Sequence, residues 1–129
     1  MVMTHLYWRN MRVLHFFKTY WPDTFGGIER TIHAIAKGVA EQGIASDVLS
    51  LSTTPEKNTR SFDGHMAYKA KLDFEFASTG LSRDVFSRFQ ELSDKADIIH
   101  YHFPWPMSDI VQLWLRPKKP SVITYHSDI

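Results

Sequence analysis

The chain has 129 residues, of which 43% are hydrophobic and 22% are charged, as is usual for one soluble globular domain. Fifteen basic and fourteen acidic side chains leave a net charge of +1, so the charge balance gives no reason to expect a nucleic-acid partner. The chain has no cysteine, which excludes disulfides and thiolate chemistry. No apolar run approaches the roughly 18 residues that a membrane-spanning helix needs.

The first ten residues differ from the sequence that follows them. Residues 1–10 have neither the apolar core nor the small-residue cleavage site of a signal peptide. Met11 stands directly before an apolar run that is typical of a strand. We therefore expect residues 1–10 to be a disordered or wrongly assigned leader and residues 11–129 to form the domain.

Apolar residues recur with two spacings along the chain. From residue 28 to residue 42 they return every three or four positions, which predicts an amphipathic helix that ends at Gly43. Short compact apolar runs, such as MRVLHFF, predict strands instead. In chain order the sequence predicts strands at 11–17, 46–52, 64–71, 97–102 and 121–126, helices at 28–42, 82–96 and 106–115, loops at 18–27 and 53–63, and a short edge strand or packed loop at 72–80.

The alternation of strands and helices predicts an α/β fold. We expect a Rossmann-like, doubly wound parallel sheet with helices on both faces. The sequence stops a few residues beyond its last predicted strand, with no helix to cover it. We therefore expect an incomplete domain.

Ligands of open parallel sheets bind outside the carboxyl ends of the strands, and the first candidates there are glycines. Gly26 and Gly27 stand between the first strand and the first helix, where an anion such as a diphosphate could reach the helix N-terminus. A plain turn explains them equally simply. The pattern is not G-x-G-x-x-G and the second strand ends without a clear acid, which disfavours a nicotinamide dehydrogenase. Glu29 either complements the helix dipole or binds a sugar hydroxyl and organises the loop.

Histidines and one tryptophan are the other candidates at this edge. His100 and His102 share one face of a strand, with His102 nearer its end and better placed to meet a ligand. His126, followed by Asp128, closes the last strand and could exchange hydrogen bonds with a ligand near neutral pH. The three histidines could also bind zinc, or serve as buried and solvated residues without a ligand. Trp105 could stack on a sugar ring or pack the loop.

Three segments together resemble glycosyltransferase family 4, a large group of retaining enzymes with the two-domain GT-B fold. They are MRVLHFFKTYWPDTFGGIER at 11–30, DIIHYHFPWP at 97–106 and VITYHSDI at 122–129. The resemblance implies that the chain is an N-terminal, acceptor-side half of a GT-B fold. It also implies that the domain which holds the donor nucleotide lies beyond residue 129, so that this chain alone gives no transfer.

The resemblance also implies roles for particular residues. Gly26 and Gly27 would approach the donor diphosphate across the interdomain cleft. His126 would be the catalytic residue, reaching the donor sugar near the reacting carbon. Acceptor or sugar contacts would come from Glu29, His102, Trp105 and Asp128.

The same resemblance sets the expected substrates and surroundings. The donor would be a nucleotide-sugar and the acceptor a glycan or lipid-linked molecule of cell-surface polysaccharide synthesis, with neither a cofactor nor a metal. The protein would be cytoplasmic, and its acceptors make peripheral contact with the inner face of the membrane a further expectation. Two alternatives stay open: a stand-alone module that binds a glycan or an anion, and a zinc hydrolase that uses His100, His102 and His126.

Overall fold

A computed structural model of the chain describes residues 11–76 and 79–126, so the leader expected at residues 1–10 lies outside the described part. Strands and helices alternate as expected. In chain order the elements are β1 (Arg12–Phe16), α1 (Gly27–Ala40), β2 (Ala45–Ser52), α2 (Pro55–Asn58), β3 (Arg60–Phe62), β4 (His65–Lys71), β5 (Phe74–Phe76), β6 (Thr79–Leu81), α3 (Val85–Lys95), β7 (Ile98–Phe103), α4 (Pro106–Leu115) and β8 (Ser121–Tyr125).

A six-stranded sheet forms the centre of the domain, in the order β3-β4-β2-β1-β7-β8. The pairs β1–β2, β1–β7, β2–β4 and β7–β8 are parallel, whereas β3 runs antiparallel to β4 at one edge. Strands β5 and β6 form a separate antiparallel ribbon. The predicted α/β class and Rossmann-like parallel sheet are confirmed.

Side chains of β1 alternate between two layers, because successive residues of a strand point to opposite faces. Leu14 and Phe16 join the larger core cluster, to which α3 contributes Phe89 and α4 contributes Val111. On the opposite face Phe17 packs with Ile32 of α1 in a smaller cluster. The prediction of helices on both faces of the sheet is therefore confirmed.

The loop predicted at 53–63 was wrong, because this segment contains α2 and β3. Both elements are too short to show a helical or strand period. β3 pairs with β4 through a two-residue turn at Asp63 and Gly64, whose φ angles are +48° and +85°. An Asp-Gly pair favours this kind of hairpin turn, since glycine takes positive φ without strain. The segment at 72–80 holds β5 and the first two residues of β6, so a short strand fits better than a packed loop, although this strand pairs in the small ribbon and not at the edge of the main sheet.

The strand order reverses at β1, which lies between β2 and β7. Such a reversal opens a crevice outside the carboxyl ends of the two central strands, where ligands of these folds bind. Within the described ranges, 11–76 and 79–126, no helix has the length and apolar character required to cross a membrane.

Candidate functional site

Gly26 and Gly27 form the exposed start of α1. Gly26 is the N-cap and Gly27 the first residue of the 14-residue helix, and the glycine at the cap has no side chain of its own with which to bond this end. A Cβ on Gly27 would meet no atom within 4 Å, so internal packing does not require glycine there. The free N–H groups of a first helical turn attract anions. The N–H of Gly26 donates to the carboxylate of Glu29, so among the described residues Gly27 is the glycine whose N–H can meet a negatively charged ligand.

Glu29 lies in the first turn of α1 and is only 7% exposed. Its Oε2 accepts hydrogen bonds from the hydroxyl of Thr19 at 3.3 Å and from that of Thr24. Burial alone would raise the pKa of Glu29, but the hydroxyl of Thr24, backbone N–H groups and the hydroxyl of Thr19 together lower it. The carboxylate therefore ties the loop before α1 to the helix. This favours the loop-organising role over direct contact with a sugar.

A buried lysine on β4 holds the same loop from the opposite side. The ammonium of Lys69 donates to the carbonyl oxygen of Tyr20 at 3.0 Å and to Oγ of Ser50 at 2.7 Å. It also forms an ion pair with Oδ1 of Asp23 at 3.2 Å. Burial lowers the pKa of Lys69, and the nearby Asp23 carboxylate opposes that shift. Lys69 was not among the predicted site residues. It follows Ala67 by two positions on one strand, so both side chains lie on the α1 face of the sheet.

Asp23 also faces a small cavity at the carboxyl ends of β1 and β2. Its Oδ2 accepts hydrogen bonds from Oγ of Ser52 at 2.7 Å and from Nδ2 of Asn58 at 3.0 Å. The cavity measures about 150 Å³ and lies beside the threonines that hold Glu29. Hydroxyl and charged groups of this kind bind sugar hydroxyls. The charged and hydroxyl side chains along its wall are Lys18, Thr19, Asp23, Thr24, Ser52, Thr53 and Glu75.

Three histidines from three neighbouring strands form a continuous row on the α1 face of the sheet. Nδ1 of His15 on β1 lies 3.0 Å from Nε2 of His102 on β7. Nδ1 of His102 lies 2.9 Å from Nε2 of His126, directly after β8. His15 and His102 are fully buried, whereas His126 is partly exposed. The row therefore begins in the core and ends at the carboxyl edge of the sheet.

The buried members of this histidine row are held neutral. Desolvation, with smaller contributions from neighbouring histidines, lowers the pKa of His15 to about 3 and that of His102 to about 2. Burial also lowers the pKa of His126. At neutral pH each ring therefore has one N–H and one bare nitrogen, so in each bond of the row one imidazole donates and the next accepts.

His100 lies beside the row but bonds elsewhere. Its Nε2 lies 2.7 Å from Oγ1 of Thr124, and its ring stacks on that of His102 with centroids 4.2 Å apart and planes 17° from parallel. Ring nitrogens of His15, His100 and His102 lie within 4.8 Å of one another. A bound metal lies near the plane of each imidazole, so nearly parallel stacked rings direct their lone pairs past one another. The arrangement favours a hydrogen-bonded row over a shared zinc ion.

Trp105 is 1% exposed, and its indole N–H donates to the carbonyl oxygen of Gly80 at 3.1 Å. Its ring meets Phe16 edge to face, with centroids 4.8 Å apart. A side chain enclosed in this way has no free face for a sugar, so the packing interpretation fits the structure. His102 is likewise enclosed, which corrects the expectation that it faces a ligand directly.

The structure thus divides the predicted site residues into two groups. Gly26, Gly27 and His126 reach the open edge, while Glu29 and His102 support that edge from inside. Asp128 lies outside the described residues. His15 was not among the predicted site residues, because it stands within an apolar run that gave no sign of a polar partner.

Known proteins resemble this chain over most of its length. The model of the family described as Glycosyltransferase Family 4 matches residues 25–129. D-rhamnosyltransferase WbpZ of Pseudomonas aeruginosa is 49% identical over 119 residues, which cover 92% of this chain and 31% of that protein. O-antigen chain mannosyltransferase C of Escherichia coli is 46% identical over 119 residues, covering 92% of this chain and 32% of that protein. The chain therefore spans about a third of the length of these relatives.

Proposed function

Because the chain belongs to glycosyltransferase family 4, we propose that it forms the N-terminal, acceptor-side part of a retaining enzyme with the GT-B fold. The enzyme would move a sugar from a nucleotide-sugar donor to a glycan or lipid-linked acceptor in cell-surface polysaccharide synthesis. The names of two relatives, a D-rhamnosyltransferase and an O-antigen chain mannosyltransferase, support sugar transfer as the reaction. The observation that carries the proposal is that the open start of α1 and the imidazole of His126 both lie at the carboxyl edge of one parallel sheet.

The donor side of the reaction would use the start of α1. As the bond between sugar and diphosphate breaks, negative charge develops on the leaving phosphate oxygens. The N–H of Gly27 can stabilise that charge without rearrangement, whereas Gly26, whose N–H donates to Glu29, would let the diphosphate approach the backbone closely. This requires no metal ion, and we propose that the enzyme uses none. His126 would donate a hydrogen bond to the donor sugar near the reacting carbon.

The acceptor side would use the cavity beside Asp23. Its hydroxyl, carboxylate and ammonium groups come from the loop before α1, from Ser52 and Thr53 at the end of β2, and from Glu75 on β5. Lys69 and Glu29 fix that loop from opposite sides, so the cavity wall is formed before a ligand arrives. A preformed polar wall favours one orientation of a sugar hydroxyl.

We also propose that the protein works in the cytoplasm with peripheral contact at the inner face of the membrane. Helix α4 exposes Ile110, Leu113 and Trp114, which are 50%, 71% and 79% accessible. Arg116 and Lys118 follow the helix directly. Apolar side chains next to basic ones suit an anionic lipid surface. Co-sedimentation with anionic vesicles should fall for Trp114→Ala, and equal binding by the variant would remove this part of the proposal.

The main test uses the full-length protein, at the length of its relatives, with a panel of nucleotide-sugars and lipid-linked acceptors. We expect transfer with retained anomeric configuration from at least one donor, and His126→Ala should lower it by on the order of 10²-fold or more. His33→Ala is the matched control, since His33 lies on α1 and pairs with Asp63 away from this edge. Residues 1–129 alone should give no transfer.

Each other outcome contradicts a particular part of the proposal. Glycan binding without transfer from any donor would indicate a binding module. Transfer that is lost with a chelator and restored by zinc would favour the three-histidine metal site. Unchanged transfer by His126→Ala would remove that residue from the mechanism.

A further inference from the structure

The histidine row has an unbonded nitrogen at its buried end, and this determines how its protons are arranged. Nε2 of His15 is buried and has no hydrogen-bond partner among residues 11–76 and 79–126, while Nδ1 of His15 is bonded to His102. At the other end, Nε2 of His126 is bonded to His102, so Nδ1 of His126 is the nitrogen that the row itself does not use. A neutral imidazole has one donor and one acceptor nitrogen. Which nitrogen of His15 carries the proton therefore determines the tautomers of His102 and His126.

Only two proton arrangements satisfy both bonds of the row. In the first, Nδ1–H of His15 donates to His102 and Nδ1–H of His102 donates to His126. In the second, both bonds run in reverse and His15 carries a buried N–H that has no acceptor. A buried N–H without a partner is rarer in folded proteins than an acceptor without one. The first arrangement is therefore favoured, and it places a proton on Nδ1 of His126.

We propose that His15 and His102 are positioning residues that hold His126 as its Nδ1–H tautomer, with the Nδ1–H offered as a hydrogen-bond donor to an oxygen of the donor sugar. The assignment of that oxygen rests on the proposed function. The tautomer follows from the row alone. When the row holds the His126 ring in this single tautomer, every molecule of the protein has the N–H in place, and no free energy is spent on converting the ring from the form that cannot donate.

The row fixes orientation and does not conduct net charge. Passing a proton along it would require a protonated imidazole at each step, and burial holds His15 and His102 in their neutral forms. Within the described part of the chain no carboxylate is bonded to Nε2 of His15 at the buried end. The ring stacking of His100 on His102 restricts rotation of the central ring.

The test is a nitrogen NMR measurement on the full-length protein labelled with ¹⁵N only in histidine. At pH 7.5 we expect His15, His102 and His126 each to show a protonated Nδ1 and a bare Nε2. Single histidine substitutions assign the signals. Protonation of His126 at Nε2 in the unsubstituted protein would overturn the proposal without any activity measurement.

Variants at His102 distinguish the effect of its hydrogen bonds from the effect of its packing. His102→Phe keeps a ring of similar size but bonds to neither neighbour, so His126 should become a mixture of tautomers. His102→Asn places an amide N–H near the former Nδ1 and should restore the single tautomer. His33→Gln is the matched control, since His33 lies on α1 and pairs with Asp63 away from the row, and it should leave the His126 signal unchanged. A single Nδ1–H signal for His126 in folded His102→Phe would also overturn the proposal.

Kinetics on the same variants give a second readout. Partners that orient metal-bound histidines typically contribute 10–100-fold, and we expect kcat of His102→Phe to fall by about that factor with the acceptor KM unchanged. His102→Asn should recover most of the loss. A tautomer result as expected, together with absence of transfer from every donor, would contradict the proposed function and leave the positioning role standing. An equal loss in His102→Phe and His102→Asn would contradict the positioning role.

Discussion

The ammonium of Lys69 on β4 donates a hydrogen bond at 3.0 Å to the backbone carbonyl oxygen of Tyr20, in the loop between β1 and α1. The same ammonium pairs with Asp23 in that loop. A cation 1% exposed to solvent thus links two loop residues to a strand on the far side of β2. The loop that leads to Gly26 is therefore anchored by charge and hydrogen bonding and not only by apolar contact.

Lys69→Met should destabilise the chain by about 3 kcal/mol, because it leaves the Ser50 hydroxyl and the Tyr20 carbonyl without their buried donor. Urea unfolding at pH 7.5 measures this loss. Lys71→Met is the matched control on the same strand, since Lys71 is exposed and donates to the carbonyl oxygen of Thr53. Its effect should stay within about 0.5 kcal/mol. Equal stability of the two variants would show that the buried cation does not anchor the loop.

Gly27→Ala should leave the fold intact but weaken donor binding. A methyl group at Gly27 meets no atom within 4 Å, so the free energy of unfolding should stay equal or rise slightly. The methyl would occupy the space that a diphosphate needs at the helix start, and the donor KM of the full-length protein should rise about tenfold, or 1.4 kcal/mol. Gly38→Ala, also free of contacts, should raise stability by about 0.5–1 kcal/mol and leave KM unchanged. An unchanged donor KM for Gly27→Ala would place the donor elsewhere.

Glu29→Gln should lower stability by about 1–2 kcal/mol, since it weakens the bonds from Thr19 and Thr24 and removes a negative charge from a helix N-terminus. Because the folded-state pKa of Glu29 is lowered, its contribution is present above the ordinary value of 4.5 and is lost as the pH falls below it. Thermal unfolding at pH 7 and pH 3 should therefore show a larger difference between wild type and variant at pH 7. Glu41→Gln, at the opposite end of α1, is the control and should change stability little.

Because burial lowers the pKa of His15 and His102, we expect the chain to lose stability under mildly acidic conditions. His15 and His102 have folded-state pKa values of about 3 and about 2, against 6.5 for a free imidazole. Between those values the unfolded chain binds more protons than the folded chain, so the free energy of unfolding falls as the pH drops below 6.5. Each histidine contributes a slope of up to about 1.4 kcal/mol per pH unit, and full stability returns above 6.5.

Urea titrations from pH 7.5 to pH 4.5 measure this slope. His102→Phe should reduce it by one histidine's share, because the substituted ring cannot take up a proton on unfolding. Stability that does not change between pH 7 and pH 5 would mean that these imidazoles bind protons in the folded chain as readily as in the unfolded chain, which contradicts their burial in neutral form.

Regular elements were predictable because their periods are long enough to read. Helix α1 shows three turns of apolar spacing, and its expected range of 28–42 agrees with Gly27–Ala40 within two residues. β3 has three residues, of which Arg60 and Ser61 are exposed, so neither alternation nor an apolar run marks it. The turn at Asp63 and Gly64 was the available signal, because this pair is typical of a tight hairpin.

Site residues were predictable where they stand at the ends of strands and helices. They were not predictable where they meet only because distant strands pair in the sheet. Gly26, Gly27 and His126 stand at element ends, which the sequence locates directly. The bond between His15 and His102 joins residues 87 positions apart, and only the placement of β1 beside β7 brings them together. Likewise Lys69 and Tyr20 come together only because β4 adds to the sheet next to β2.

The histidines of β1 and β7 also affect the register in which these two strands pair while the chain folds. In the native register His15 lies opposite His100, and Leu14 lies opposite Ile99. A slip of one residue would turn the imidazole of His15 into the apolar layer beneath α3 and expose Leu14 to the histidines. An unbonded polar group buried in that layer costs about 1–3 kcal/mol. The histidines thus help to specify the register in which β1 pairs with β7, because a shifted pairing would bury His15 without a partner.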